Sequence, residues 1–396
     1  MDIATQQEQA AGKFSEIGMP SVKEESWRFT DVSHIHFDDF HNEWTDSKLS
    51  YEPLSDLFMV FENGKLSKEK SSFSNLPNGI KIHSILDSQE KRIGSLADSE
   101  SGFVLHNTVN FDDGIWVEVD ANVSLENPLH IIHLADSENG CFQYRHFFSL
   151  KKDAKVSIVE EYIGAANTLY LTNSVSEIFL EDKARLDHYK IQRESTTAYH
   201  FQTIESQLSH NSVFSNHSIS IGSKLGRNDI RSRIQGEDSE AICNGLYLLK
   251  DDQFYDTHLF MDHAVPKCQS HQLHKGILAD KAKAVFCGRI LVQQDAQETD
   301  AIQSNGNLLL SRNAKVNTMP QLEIYADDVK CTHGATIGEL DEEALFYLQS
   351  RGIDPSNANS IMIYAFANEV LDEVMCSVLK PRIEFLIQEW LAGVTQ

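Results

Sequence analysis

No C-x-x-C pair occurs in this chain: its six cysteines, Cys141, Cys243, Cys268, Cys287, Cys331 and Cys376, stand far apart. That spacing excludes a zinc ribbon or a dithiol redox motif and predicts a reduced, cytoplasmic protein. Basic residues are scarce, with 34 Lys plus Arg against 59 Asp plus Glu and a net charge of −25. Such a chain repels phosphodiester backbones and anionic lipid surfaces, which excludes nucleic-acid and membrane partners. The longest apolar run, Ile361 to Ala367, falls far short of the roughly 20 residues of a membrane span. The opening MDIATQQEQAAGKFSEIGMP lacks the apolar centre of a secretory signal. Gly222-Ser223-Lys224-Leu225-Gly226 is a short turn without the G-x-x-x-x-G-K-[ST] pattern, and no G-x-S-x-G elbow is present. The chain is therefore not expected to hydrolyse ATP by itself.

What is present is β texture at a long period. The 396 residues, 41% hydrophobic, suffice for two or three structural units with a real core. From about residue 111, a small residue following a polar one recurs at Ala121, Ala154, Ala184, Ser212, Ala241, Ala282 and Ala314, each leading into alternating apolar positions. Strand-like runs such as VSIVEEYI, FSNHSISI, GLYLL and GRILV lie between them. This period of about 30 residues predicts stacked coils of a solenoid, each burying its face against the next. A large antiparallel sandwich is the alternative. The longer interval from Ala241 to Ala282 reads as an insertion in residues 251–275.

After residue 340 the period becomes helical. Asp341 reads as an N-cap for a helix with Glu342 and Glu343 in its first turn, which would bury Leu345, Phe346 and Leu348 and stop at Gly352. Asp354-Pro355 starts a second helix with an apolar stripe at Ala358, Ile361, Met362, Ala365 and Phe366. Pro381 to Ala392 forms a last one, with Ile383, Leu386, Ile387 and Trp390 on one face. The chain thus divides into a mixed helical and loop region (1–110), a β core (111–338) and a helical C-terminal region (339–396).

Cys331 and His333 place a thiol and an imidazole two residues apart in what otherwise reads as an ordinary strand-to-helix junction. On an extended segment they share a face, and Gly334 and Gly338 follow them. They supply at most two metal ligands, too few to complete a site by themselves. Either the fold gathers other cysteines or a partner supplies the rest. His263, Cys268, His271 and His274 have ligand chemistry but lack the tight pair spacing of a structural zinc site, and read as fold-supporting contacts. Trp27-Arg28-Phe29 reads as local packing.

The stretch LEIYADDVKCTHGATIGELDEEALFYLQSRGI, from Leu322 to Ile353, resembles the signature of the SufB/SufD family of iron–sulfur cluster assembly proteins, closer to its SufD branch. DHAVPKCQSHQLHKGIL from Asp262, AVFCGRILV from Ala284, TDAIQSNGNLLLSRNAKVNTMPQ from Thr299 and WRFTDV from Trp27 resemble the same family in the same order. The resemblance implies a mainly β protein with a right-handed parallel β-helix core between helical ends. It implies a non-enzymatic scaffold that pairs with a SufB-like homologue and a SufC-like ATPase, fed by a sulfur-donor system. ATP would then act only through the ATPase, a nascent iron–sulfur cluster would form transiently at the subunit junction, and flavin binding in the complex stays undetermined. It further implies a cluster-handling role for His333 with Cys331 beside it, and an ATPase-docking role for the helices carrying Glu342, Phe346, Tyr347, Arg351 and Phe366. Two other classes stay open: a β-helix glycan-active enzyme and a metal-free, self-associating scaffold.

Overall fold

The computed structural model describes residues 3–41, 44–73, 76–88, 90–111 and 113–394. The N-terminal part contains α1 (Ile3–Ile17), β1 (Phe58–Glu62), β2 (Lys65–Ser72), β3 (Ile80–Ser84) and α2 (Gly102–Asn110). The strands that follow are β4 (Asp113–Val119), β5 (Leu129–Ala135), β6 (Gly140–Leu150), β7 (Lys155–Gly164), β8 (Tyr170–Leu180) and β9 (Arg185–Arg193). Next come β10 (Tyr199–Leu208), β11 (Val213–Ser220), β12 (Leu225–Ile234), β13 (Glu240–Leu249), β14 (Phe254–His263) and β15 (Gln269–Leu278). The last strands are β16 (Lys283–Val292), β17 (Thr299–Leu309), β18 (Lys315–Ile324) and β19 (Val329–Gly338), before α3 (Glu342–Ser350), α4 (Pro355–Asp372) and α5 (Lys380–Val394).

From β4 onward the strands alternate between two parallel sheets, so that each strand pairs with the second one before and after it. The result is a parallel β-helix of about eight turns. The sandwich alternative is excluded by this pairing. β1 joins the odd-numbered sheet beside β5, with β2 antiparallel outside it, and β3 lies antiparallel to β4 at the end of the even-numbered sheet.

The corners explain the sequence period. Ala154, Ala184, Ser212, Ser239, Cys268 and Thr299 occupy one position in successive coils of the odd-numbered sheet, and all are buried. Each follows a residue with positive φ: Asp153, Lys183, Asn211, Asp238, Lys267 and Glu298. The chain turns in the left-handed conformation and then passes close to the neighbouring coil, where only a small side chain fits.

The expected insertion at 251–275 is not there. Ala241 pairs with Ser270 and then Ala301 in the odd-numbered sheet, whereas Ala282 and Ala314 lie at corners of the other sheet, in line with Gln253. The long interval was a step from one sheet to the other; β14 and β15 are ordinary strands of ten residues each.

Each sheet has a covered outer face. On the even-numbered sheet, Trp27 stacks on Phe103 at 5.2 Å, and Phe103 stacks on Phe201 at 3.9 Å. Trp27-Arg28-Phe29 is thus a packing element, with the Arg28 guanidinium 5.4 Å from the Phe29 ring centre. The buried Glu177 carboxylate accepts hydrogen bonds from the backbone of Gly94, Leu96 and Ala97 and pairs with Arg145 at 2.7 Å, tying the N-terminal segment down. On the odd-numbered sheet, Ile363, Ala367, Val370, Ile383, Ile387 and Trp390 of α4 and α5 pack against Tyr189, Ile219, Leu246 and Ile277.

The helix bounds match the sequence reading, with Asp341 and Asp354 side chains capping α3 and α4. The buried faces differ. α3 buries no residue fully, and Phe346 is 73% exposed. On α4 only Ala358 of the expected stripe is fully buried; the face rotates to Ile363, Ala367, Val370 and Leu371, leaving Ile361 exposed. Packing against the apolar side chains of the odd-numbered sheet selects the buried face of α4.

The open end of the β-helix as candidate site

The two ends of the β-helix differ. At the N-terminal end, antiparallel β2 carries Lys65, Lys68 and Lys70 and blunts the sheet edge with charge. At the C-terminal end, β18 pairs with β16 and β19 with β17, and among the described residues no strand covers the far edges of β18 and β19. These are ten-residue edges, with Lys315 and Pro320 on β18 and Lys330 near the start of β19. Around them lie exposed Ile302, Ile324, Tyr325 and Ile337, the last two 65% and 51% exposed. Sequence reading missed this rim, because alternating apolar residues in a strand signal a buried face wherever another coil follows.

Cys331 and His333 lie on β19 at this end. Cys331 is in register with Ala301, His333 with Gln303 and Ala335 with Asn305, and those three partners are buried. Alternation along the strand therefore directs Cys331, His333 and Ala335 towards the lumen side of the last coil. Cys331 is half-buried and packs on the interior apolar cluster, whereas His333, with no coil above it, is exposed. Burial pushes the Cys331 thiol up, opposed by a hydrogen bond with the Ala301 backbone. Beneath His333, Gln303 donates its amide to Gln272 Oε1 at 2.7 Å, and its own Oε1 has no partner among the described residues. A Cβ placed at Gly334 or Gly338 would meet nothing within 4 Å, so the approach to β19 is open.

The fold does not bring the other cysteines to Cys331. Cys141, Cys243 and Cys268 are buried in earlier coils, Cys287 lies on β16 and Cys376 follows α4. Among the described residues no three His, Cys, Asp or Glu side chains are placed to hold a metal ion. His263, Cys268, His271 and His274 point apart: His263 meets Ser270 Oγ at 2.8 Å, Cys268 lies at a corner against the Gly236 carbonyl, His271 faces Glu240 outside, and His274 is buried. They support the fold.

The helical candidates fall into two groups. Glu342, Phe346, Tyr347 and Arg351 are exposed on or just after α3, with the Arg351 guanidinium 5.2 Å from the Tyr347 ring centre. Phe366 is half-buried instead, with the Lys275 ammonium 4.1 Å from its ring centre and Gly306 against its edge. It anchors α4 to the β-helix.

The parallel β-helix therefore ends at β18 and β19, with a thiol and an imidazole on its last strand. The family model described as the SUF system FeS cluster assembly, SufBD core domain matches residues 133–366, and the SufBD protein N-terminal region matches residues 2–131. The chain belongs to the SufBD family of iron–sulfur cluster assembly proteins. It is 32% identical to an iron–sulfur cluster assembly SufBD family protein of Synechocystis, over 96% of this chain and 89% of the relative. It is 30% identical to the iron–sulfur cluster assembly protein SufD of Escherichia coli, over 95% and 90% respectively. Against protein ABCI7, chloroplastic, of Arabidopsis thaliana, identity is 32% over 89% of this chain and 79% of the relative. The chain acts in iron–sulfur cluster assembly. Among the described residues no helix is long and apolar enough to cross a membrane.

Proposed function

We propose that this chain is a non-catalytic, SufD-like scaffold subunit that pairs through β18 and β19 with a homologous SufB-like β-helix. The open strand edges ringed by Ile302, Ile324, Tyr325 and Ile337 carry this reading, since unpaired edges with an apolar rim favour strand addition by a like partner. The nascent iron–sulfur cluster is the cargo of the junction. His333 contributes a neutral imidazole, a borderline ligand suited to iron, beside thiolates from the partner, and Cys331 contributes an auxiliary thiol. The free Oε1 of Gln303 suits an acceptor for the second imidazole N–H, which would set the ring's tautomer. The ATPase subunit docks on the exposed face of α3 through Glu342, Phe346, Tyr347 and Arg351, with Phe366 transmitting its motion through α4 to the β-helix. The cysteines stand as thiols rather than disulfides, which suits a reducing compartment, here the cytoplasm.

Co-expression with SufB-like and SufC-like partners, followed by co-purification and iron and sulfide analysis, tests this directly. The expected result is a ternary complex that carries iron and sulfide, which this chain alone does not retain. Self-association of the chain through the same edges, with no capture of a homologue, would support the self-associating scaffold instead.

A further inference from the structure

Where the N-terminal segment stops covering the even-numbered sheet, its outer face opens into a cavity of about 1160 Å³ reaching from β12 to β18. Cys287 and His258 stand on its floor, in register on adjacent strands β16 and β14, with both side chains on the outer face. His258 Nε2 lies 3.1 Å from Asp256 Oδ1. Asp256 is fully buried, and its other oxygen takes hydrogen bonds from the Arg227 guanidinium (2.7 Å) and the Thr30 hydroxyl. The carboxylate is therefore fixed from three sides and cannot swing away from the imidazole. Burial and the nearby Arg227 guanidinium work against charge on His258, but the Asp256 carboxylate outweighs them and, with the Cys287 side chain adding, raises the imidazole to about 9. A thiol with an imidazolium as its strand neighbour, oriented by a buried carboxylate, is the arrangement that favours a nucleophilic sulfur.

The remaining thiols differ. Cys141, Cys243 and Cys268 are buried, and burial pushes the partly exposed Cys331 and Cys376 up. Cys287 is partly exposed and opens onto a cavity whose wall mixes charges of both signs, including Arg28, Glu24 and the Arg289–Glu323 ion pair. Such a wall fits a small zwitterionic peptide better than a simple anion.

We propose that Cys287 is a site of reversible S-thiolation, exchanging with the disulfide of a small zwitterionic thiol peptide seated in this cavity. The Cys287 sulfur attacks one sulfur of the disulfide, a Cys287–S–S–R bond forms, and the reagent's own S–S bond breaks. The proton from Cys287 ends on the departing thiolate, so one thiol and one disulfide give one mixed disulfide and one free thiol. His258 holds charge beside the reacting sulfur, and the reaction is independent of cluster assembly at β19.

The test uses the reduced full-length chain, glutathione disulfide as the probe, and peptide mass spectrometry to follow each cysteine with time. Cys287 should form its mixed disulfide at least about fivefold faster than Cys331 or Cys376. His258→Gln should bring Cys287 down to their rate while leaving theirs unchanged, which a general loosening of the fold would not do. In the wild-type chain, the preference for Cys287 over Cys331 should be larger with glutathione disulfide than with neutral hydroxyethyl disulfide. Cys287 reacting no faster than the other two, a rate unmoved by His258→Gln, or equal preference for both disulfides would overturn the proposal.

Discussion

His333 sits where substitution separates chemistry from folding. Its side chain is exposed, the position after it is glycine, and the coil beneath is already paired through the Gln303–Gln272 hydrogen bond. His333→Ala is expected to change unfolding free energy by less than about 0.5 kcal/mol, as exposed substitutions generally do. Cluster maturation in cells should nonetheless fall. Normal maturation with this variant, measured as activity of iron–sulfur enzymes in the same cells, would remove His333 from the site. The i, i+2 spacing with Cys331 was legible in the sequence because a strand's alternation is local. That both side chains end at an open lumen was not, because only the absence of a further coil exposes them.

At the scale of elements, the corners and α3 give opposite expectations. Ala184 follows the left-handed Lys183 and is fully buried against neighbouring coils. Ala184→Leu should destabilise the chain by about 1–3 kcal/mol through overpacking, measurable by urea unfolding. On α3, Phe346 and Tyr347 are 73% and 57% exposed and support no core. Phe346→Ala combined with Tyr347→Ala should leave the melting temperature within a few degrees of wild type yet sharply reduce capture of the ATPase subunit in a pull-down. Undiminished capture would place the docking surface elsewhere. Removing the whole chain after Glu339 would be a poor substitute. It would strip α4 and α5 from Leu246, Leu248 and Ile277 and leave the buried Glu161 without Arg382, its partner at 2.7 Å.

For the whole molecule, buried histidines set the response to acid. Burial lowers His106, His146, His217 and His263 to about 4 and His274 to about 3. Unfolded, these rings titrate near 6.5, so the unfolded chain binds more protons below that pH, and stability is full above 6.5 and falls as pH drops towards 4. Glu205 works the other way: burial raises it to about 8, so between about 8 and 4.5 the folded chain holds a proton that the unfolded chain lacks. One such carboxyl does not offset five imidazoles. Urea midpoints should therefore decline steadily from about pH 6 to 4.5, where the five imidazoles outweigh Glu205 and the raised His258. A midpoint constant to pH 4.5 would show that these rings protonate in the folded state. The open end gives the second expectation at this scale. Ile337→Lys, which puts a charge at the lumen rim, should weaken pairing with the SufB-like partner by at least about tenfold in a binding titration.

The sequence alone carried the repeat, the helix caps and the family. Left-handed corner residues followed by small ones recur because each coil obeys the same local sterics, and Asp341 and Asp354 cap their helices through bonds to residues two or three positions on. Tertiary structure decided what has no local signal. It showed that Ala282 and Ala314 belong to the other sheet, because both sheets use similar corners. It turned α4 by contact with the odd-numbered sheet, since a helix with apolar residues on most sides buries whichever face its neighbour offers. It also set Cys287 beside His258 and Asp256, and placed Cys331 and His333 at an end with no further coil. Parallel pairing joins residues about 30 positions apart, and that register is chosen by the stacking of the whole β-helix rather than by any stretch within it.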